Sequence, residues 1–239
     1  MSDYSVLHRA NTRGGQDHGW LKVNHTFSFA NYYNPNRMHF GVLRVLNDDS
    51  IAGGKGFGTH PHDNMEIITI PLEGALAHKD NMGNGTIIKK GDIQVMSAGT
   101  GITHSEFNSN EDHAVKVLQI WLFPNKKNVT PRYDQLSLKD FEVKNEFYQI
   151  LSPNQNDQGV WIYQNSWFSM AEFDSDKEVN YKLNLTSNGV YIFVIEGEIK
   201  VGKESLGKRD GFGIWNTEKI NISALKGAKI LLMELPMSV

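Results

Sequence analysis

The chain has 239 residues, 39% of them hydrophobic and 21% charged, a composition typical of a globular protein with one large domain or two small ones. Its 24 basic and 27 acidic side chains give a formal net charge of −3, which excludes the strongly basic face that nucleic-acid backbones require. The sequence contains no cysteine, which excludes disulfides and thiolate chemistry, so any metal must be bound by His, Asp or Glu.

The N-terminal residues and the hydropathy predict a cytoplasmic protein. The first residues, MSDYSVLHRANTRGG, have charges where a signal peptide needs its apolar stretch. The longest apolar run covers only residues 190–195, far short of the ~20 residues that a membrane helix needs. We therefore expect no membrane span and no export.

Short segments rich in β-branched and aromatic residues follow one another along the chain and predict strands. They are residues 40–45, 66–70, 115–122, 190–195 and 229–235. Turns rich in Gly, Asn and Asp separate these segments, and many short strands at such spacing favour a sandwich or barrel. Helical periodicity is weak, and the best candidates for short helical pieces lie near residues 133–146.

The middle of the chain predicts a boundary between two units. Residues 124–146 contain two prolines and many charges between two predicted strands, which is typical of a linker. A short internal repeat supports the division, because Leu-Glu-Gly at 72–74 resembles Ile-Glu-Gly at 195–197 and a turn with Lys and Gly follows each. The two predicted units are residues 1–135 and 136–239.

The histidines are confined to the first unit, since none of the nine follows His113. When the two copies of the repeat are aligned on their glycines, His60 and His62 fall opposite Leu183 and Leu185. We therefore expect core positions in the second unit where the first has metal-binding side chains, and a second barrel without metal. Its interior is expected to be filled by apolar side chains such as Ile192, Val194 and Leu232.

Two segments of the first unit predict a metal site. His60 and His62 are two residues apart after Gly54, so on a strand their imidazoles share one face. His104 and Glu106 share a face in the same way on a later strand. The His60-Pro-His62 triplet alone is also compatible with an exposed turn, but two such pairs on neighbouring strands can converge on one ion at the mouth of a barrel.

Glu66 joins the face of His60 and His62 if the strand continues without a bulge. It is then either a ligand or, in the interpretation we prefer, a carboxylate that accepts the second N–H of a liganding imidazole. The remaining histidines are interpreted as surface or hydrogen-bonded residues and not as ligands. They are His8, His18, His25, His39, His78 and His113.

The order of these residues resembles the two motifs of the cupin barrels, here G-x5-HxH-x3-E and G-x5-S-x-G-x4-H-x3-N. Longer segments are specifically similar to the pirin family: HTFSFANYY, FGVLRVLNDD, GFGTHPHDNMEIIT, LEGALAHKDNMGN, GDIQVMSAGTGITHSE and LQIWLFPNKKNVTPRYDQ. The resemblance covers nearly all of residues 1–135. Ser97 replaces the usual cupin proline and the spacing before His104 is longer, and both features are expected in pirins.

The resemblance implies an all-β fold of two tandem cupin (jelly-roll-type) β-barrels, with a metal site in the N-terminal barrel only. It also implies one divalent transition metal per chain, bound by His60, His62, His104 and Glu106, with Glu66 nearby. The family implies Fe(II), while three imidazoles and a carboxylate also suit Mn, Co, Ni, Cu or Zn. Four protein ligands on an octahedral ion leave two positions, enough for a bidentate organic substrate or for one substrate atom beside dioxygen.

The resemblance further implies a quercetin 2,3-dioxygenase-like oxidoreductase. In that activity a flavonol binds the metal through its hydroxyl, loses a proton and reacts with O2, which opens the ring and releases carbon monoxide. Glu106 is then the candidate catalytic base. The expected partners are a flavonol-like aromatic substrate and O2, without direct contact with nucleic acid or membrane.

Two alternatives stay open at this point. Eukaryotic pirins are linked to transcription factors, so the chain is also compatible with a non-enzymatic, metal- or redox-responsive regulatory protein that binds a protein partner. The fold is shared by many functions, and the step from metal to flavonol rests on the resemblance. A third possibility is a catalytically silent cupin that uses metal only for stability.

Overall fold

The computed structural model describes residues 4–239, and almost all of its regular structure is β-strand. The strands of the first half are β1 (Ser5–His8), β2 (Gly14–Asp17), β3 (Leu21–His25), β4 (Leu43–Ile51), β5 (Gly56–His62), β6 (Glu66–Glu73), β7 (Ala75–Asp80), β8 (Gly85–Lys89), β9 (Asp92–Ser97), β10 (Ile102–Asn108), β11 (Val115–Leu122) and β12 (Arg132–Ser137). Those of the second half are β13 (Tyr148–Ser152), β14 (Val160–Trp161), β15 (Trp167–Glu172), β16 (Lys177–Lys182), β17 (Asn188–Glu196), β18 (Ile199–Val201), β19 (Glu204–Leu206), β20 (Gly211–Ile214), β21 (Lys219–Ala224) and β22 (Lys229–Pro236).

Helical structure among these residues is limited to one 3-10 turn, Ala10–Thr12. No helix in the described part of the chain is long and apolar enough to span a bilayer. The described residues do not include residues 1–3. The predicted first unit and the N-terminal segment that was compared with a signal peptide both begin there.

The strands form two barrels with the same strand order. In the first, a seven-stranded sheet (β12-β9-β6-β11-β4-β3-β2) faces a four-stranded sheet (β5-β10-β7-β8). In the second, the sheets are β1-β20-β17-β22-β15-β13-β14 and β16-β21-β18-β19, so each strand has a counterpart. This architecture confirms the predicted all-β fold of two tandem jelly-roll barrels.

The chain exchanges one strand between the barrels. β1 pairs with β20, which places the start of the chain at the edge of the second barrel's large sheet. The corresponding edge of the first barrel is β12, paired with β9 from Arg132↔Ser97 to Ser137↔Asp92. The boundary predicted between residues 135 and 136 therefore lies inside a strand.

The helical pieces predicted at residues 133–146 are wrong. β12 occupies the first part of this segment, and the rest contains turns and one isolated bridge at Lys144. Pairing with β9 satisfies the backbone donors and acceptors of residues 132–137, which outweighs a weak local helical preference.

The second barrel has an apolar interior. Ile192, Val194 and Leu232 are completely buried in it, as predicted. Leu183 is also buried, but the core position predicted for Leu185 is wrong, because β16 ends at Lys182 and the following turn leaves Leu185 39% exposed.

The first barrel contains a row of polar side chains instead. His25, Asn47, Gln119, Thr69 and Gln94 are neighbours in register on five adjacent strands of the large sheet. All five are buried, and they continue onto β12 at its edge. A polar interior of this kind distinguishes the first barrel, and two members of the row, Asn47 and Gln119, line the same cavity as the histidines described next.

Candidate metal centre

Three imidazoles converge inside the first barrel. β5 carries His60 and His62, and β10 pairs with β5 so that His104 is opposite His60. The ring centroids of His60 and His104 are 4.4 Å apart, and those of His62 and His104 are 5.0 Å apart. One nitrogen of each ring lies within 4.8 Å of the others. The spacing of two residues puts His60 and His62 on one face of β5, and the pairing of β5 with β10 brings His104 to the same place.

The spacing of the nitrogens fits a shared metal ion. Two nitrogens at ~2.1 Å from one ion and at right angles lie ~3.0 Å apart, and Nε2 of His62 is 3.1 Å from Nε2 of His104. Nδ1 of His60 donates to the carbonyl of Gly58 at 2.8 Å, so Nε2 is the ring nitrogen that faces away from this hydrogen bond and is available to a metal ion. The three rings therefore present a donor set suited to a divalent first-row ion.

Glu106 lies beside this cluster and is buried. A β-bulge separates it from His104 in the pairing with β5, and it forms a second group with His78 and His104 whose ligand atoms also lie within 4.8 Å. Gln119 Nε2 donates to both carboxylate oxygens, at 2.8 and 3.0 Å. The four expected ligands thus fall into two groups that share His104, and Glu106 is outside the three-histidine group.

Burial dominates the electrostatics of the site. It raises the pKa of Glu106 to about 7, although the Gln119 amide acts in the opposite direction. Burial and the neighbouring His60 lower the pKa of His62 to about 4, and burial with the surrounding imidazoles lowers the pKa of His104 to about 2. Both rings are therefore neutral at physiological pH, the form that binds metal.

Glu66 does not reach the imidazoles. β5 ends at His62, and a turn with Asn64 in the left-handed region (φ 43°) separates it from β6. The Glu66 carboxylate accepts the hydroxyl of Ser97 at 2.7 Å and a backbone N–H of Tyr163, and burial raises its pKa to about 7. The interpretation of Glu66 as a ligand or as the partner of a liganding imidazole is therefore wrong, because the turn redirects the chain.

Sequence reasoning missed the position of His78. This residue is hydrogen-bonded, as expected, but it is buried next to the cluster, with Nδ1 3.5 Å from Nδ1 of His104. Its Nε2 lies 3.4 Å from Asp80 Oδ2, and its ring packs against Tyr133. The available signal is the step His78-Lys79-Asp80, which repeats the same-face spacing of the two predicted motifs.

The other histidines lie outside the cluster. His8 contacts the Tyr191 hydroxyl, His25 contacts Asn47 and His39 contacts the carbonyl of Gly41. His18 and His113 are exposed.

A cavity of about 450 Å³ opens onto the cluster. Four aromatic side chains line it: Trp20, Phe29, Phe57 and Trp121. Its polar wall includes Asn47, Gln119 and Asp49, and no described group donates a hydrogen bond to the buried Oδ1 of Asp49. Burial and the nearby Asp48 raise the pKa of Asp49 well above its ordinary value. A cavity with apolar walls and a few directed polar groups is typical of a small-molecule site.

The fold and the site together define a two-barrel cupin with a histidine and glutamate cluster in its N-terminal barrel. The family model described as "Pirin" matches residues 6–122, and one described as "Quercetinase C-terminal cupin domain" matches residues 149–235. The chain is 40% identical over 230 residues to quercetin 2,3-dioxygenase of Escherichia coli (strain K12). This alignment covers 96% of this chain and 98% of that protein. The chain belongs to the pirin family.

Two further relatives agree with this assignment. A pirin-like protein of Caulobacter vibrioides is 39% identical over 222 residues, covering 92% of this chain and 95% of its own length. The crystal structure of bacterial pirin YhhW from Escherichia coli in complex with nickel(II) matches with a TM-score of 0.92 at 40% identity, covering 98% of this chain and 100% of that one. The full-length match confirms the resemblance seen in the sequence.

Proposed function

We propose that this protein is a metal-dependent dioxygenase that opens the ring of flavonols such as quercetin. The observation that carries the proposal is the convergence of His60, His62 and His104 on one wall of an aromatic cavity, with the buried carboxylate of Glu106 beside them. Relatives named quercetin 2,3-dioxygenase that match over nearly the full length support it.

His60, His62 and His104 would hold the metal through ring nitrogens, with Glu106 as the fourth ligand. The family implies Fe(II), and a nitrogen-rich donor set without thiolate also accepts Mn, Co, Ni, Cu or Zn. The nickel(II) complex of a pirin relative supports a divalent first-row ion. When bound, such an ion supplies Lewis acidity toward a substrate hydroxyl and a centre for reaction with O2.

Glu106 is the proposed base. Gln119 Nε2 donates to both carboxylate oxygens, and the oxygen that does not bind the metal would keep a lone pair to accept the proton of the flavonol 3-hydroxyl. Gln119 keeps the carboxylate in place inside the barrel. Removing this proton gives the electron-rich flavonolate that reacts with O2.

The cavity walls select and orient the substrate. Trp20, Phe57 and Trp121 offer flat apolar surfaces for a fused aromatic ring system, and they exclude water from the reacting face. Asp49 supplies an unpaired buried oxygen that can form a hydrogen bond with a phenolic hydroxyl. These groups would favour a polyhydroxylated aromatic compound over an aliphatic one.

Oxygen consumption tests the proposal. Protein loaded in turn with Fe(II), Mn(II), Co(II) or Ni(II) is mixed with a flavonol that has a free 3-hydroxyl, and O2 uptake and carbon monoxide release are followed. The 3-O-methyl ether is the matched control and is expected to be inert, because it has no proton to lose. If metal-bound protein consumes no O2 with several flavonols, the dioxygenase proposal is wrong and the regulatory alternative replaces it.

A further inference from the structure

His78 and Asp80 are on β7, which pairs with β10 on the side opposite β5, next to the histidine cluster. In the pairing of β7 with β10, His78 is opposite Glu106 and Asp80 is opposite His104. Both side chains are completely shielded from solvent. The His104 ring directs Nε2 toward His62 and Nδ1 toward His78, whose Nε2 in turn faces Asp80 Oδ2. His62, His104, His78 and Asp80 thus form a continuous chain of side chains from the cluster to a buried carboxylate, which we call the relay.

Asp80 determines the direction of the hydrogen bonds in this chain. Its Oδ1 accepts the backbone N–H groups of Met82 and Asn84, both at 2.9 Å, and its Oδ2 accepts Asn84 Nδ2 at 2.7 Å. A carboxylate only accepts, so the proton between Asp80 and His78 belongs to His78 Nε2. A neutral His78 then has a free lone pair on Nδ1, which accepts the Nδ1–H of His104. This leaves His104 Nε2 unprotonated toward the cluster.

We propose that His78 and Asp80 are positioning residues that fix the tautomer and ring orientation of His104, so that its Nε2 is presented to the metal. The inference rests on the proposed metal site and extends it to two residues that are not in the ligand set. Metal-binding histidines commonly donate their second N–H to an acceptor, and loss of such a partner weakens metal binding by roughly 10–100-fold. The Tyr133 ring, 5.0 Å from that of His78 between centroids, restrains the imidazole.

Asp80→Asn tests the direction of the relay. The two backbone N–H groups at Oδ1 hold the amide oxygen in that position, so the NH2 group replaces Oδ2. There it donates to His78, and the Asn84 amide must turn its oxygen toward the new NH2 group. His78 must then place its own proton on Nδ1, which faces His104, and the relay is reversed. His78→Phe removes the acceptor but keeps a ring, whereas His78→Asn offers an amide oxygen close to the position of Nδ1.

The probe is Zn(II) alone, added to the full-length protein. Its affinity is measured by competition with a chromophoric chelator, and nitrogen NMR of labelled imidazoles in the Zn(II) form reports the tautomer of each ring. We expect Asp80→Asn and His78→Phe to bind Zn(II) roughly 10–100-fold more weakly and His78→Asn to recover much of the loss. In the wild type, His104 should show a protonated Nδ1 and a metal-bound Nε2.

Asp63→Asn is the matched control. Asp63 is exposed and follows His62 in the chain, so the variant removes the same charge near the cluster, and its effect should stay within about 3-fold, as for other exposed charges. An equal loss of affinity in this control would overturn the proposal in favour of a general charge effect.

The outcomes separate the relay from the metal site itself. Unchanged affinity in Asp80→Asn and His78→Phe, or a Zn(II)-bound nitrogen on His78, overturns the relay while the metal site stands. Failure of the wild type to bind Zn(II) overturns the proposed site instead. Circular dichroism of the metal-free variants monitors folding, and if Asp80→Asn is unfolded, the comparison of His78→Phe with His78→Asn decides.

Discussion

Replacing Glu66 by Gln is expected to change the pH dependence of stability. Glu66 is 1% exposed at the start of β6, where it bonds Ser97 of the same barrel and the backbone of Tyr163 in the second half of the chain. Burial raises its pKa from the ordinary 4.5 to about 7. The folded protein therefore holds this proton more tightly than the unfolded chain does.

The sign of the effect follows from the proton balance. Below pH 4.5 the carboxyl is protonated in both states and has no differential effect on folding. Between pH 4.5 and 7 the unfolded chain loses its proton first, so the free energy of unfolding falls as the pH rises. Above pH 7 the full penalty applies, and the difference between the two pKa values corresponds to ~3 kcal/mol.

Chemical denaturation of metal-free protein at pH 5, 6, 7 and 8 measures this effect. Glu66→Gln has no carboxyl to ionise, so its stability relative to the wild type should rise with pH by up to ~3 kcal/mol. The exposed Glu178→Gln is the control and should show no such trend. A stability difference between Glu66→Gln and the wild type that is independent of pH would refute the reasoning.

Four further expectations concern the site and the second barrel. His62→Ala and His104→Ala should each empty the site in elemental analysis, since each removes one of the converging nitrogens, and full metal occupancy in both would refute the assignment. Glu106→Gln should retain some metal but consume O2 roughly 10²–10⁴-fold more slowly, because an amide cannot accept the hydroxyl proton; wild-type turnover would exclude Glu106 as the base. Asp49→Leu should raise the KM for a polyhydroxylated flavonol by about 5–10-fold, the value of one hydrogen bond, and should leave a flavonol with only the 3-hydroxyl unaffected. Unfolding titrations should show that Leu232→Ala lowers the free energy of unfolding by about 2–5 kcal/mol, because it leaves an internal cavity. Metal analysis of the same variant should show that the metal content stays at the wild-type value.

The sequence by itself determined the features that depend on local periodicity. Side chains two residues apart on a regular strand share one face, so His60 with His62 and His104 with Glu106 could be paired from spacing alone. The apolar residues of the later strands, among them Ile192, likewise predicted a filled second barrel. Family motifs supplied the fold, which the strand order confirms.

Only the tertiary structure decided which faces meet. Whether Glu66 continues the face of His62 depends on the turn between β5 and β6, and the left-handed residue in that turn directs Glu66 away from the cavity. The contact of His78 with His104 arises from the register of β7 against β10, which hydrogen bonds between distant segments establish. Register and strand exchange are set by pairing between residues far apart in sequence, and a one-residue shift would reverse every face, so neither could be derived from the local pattern.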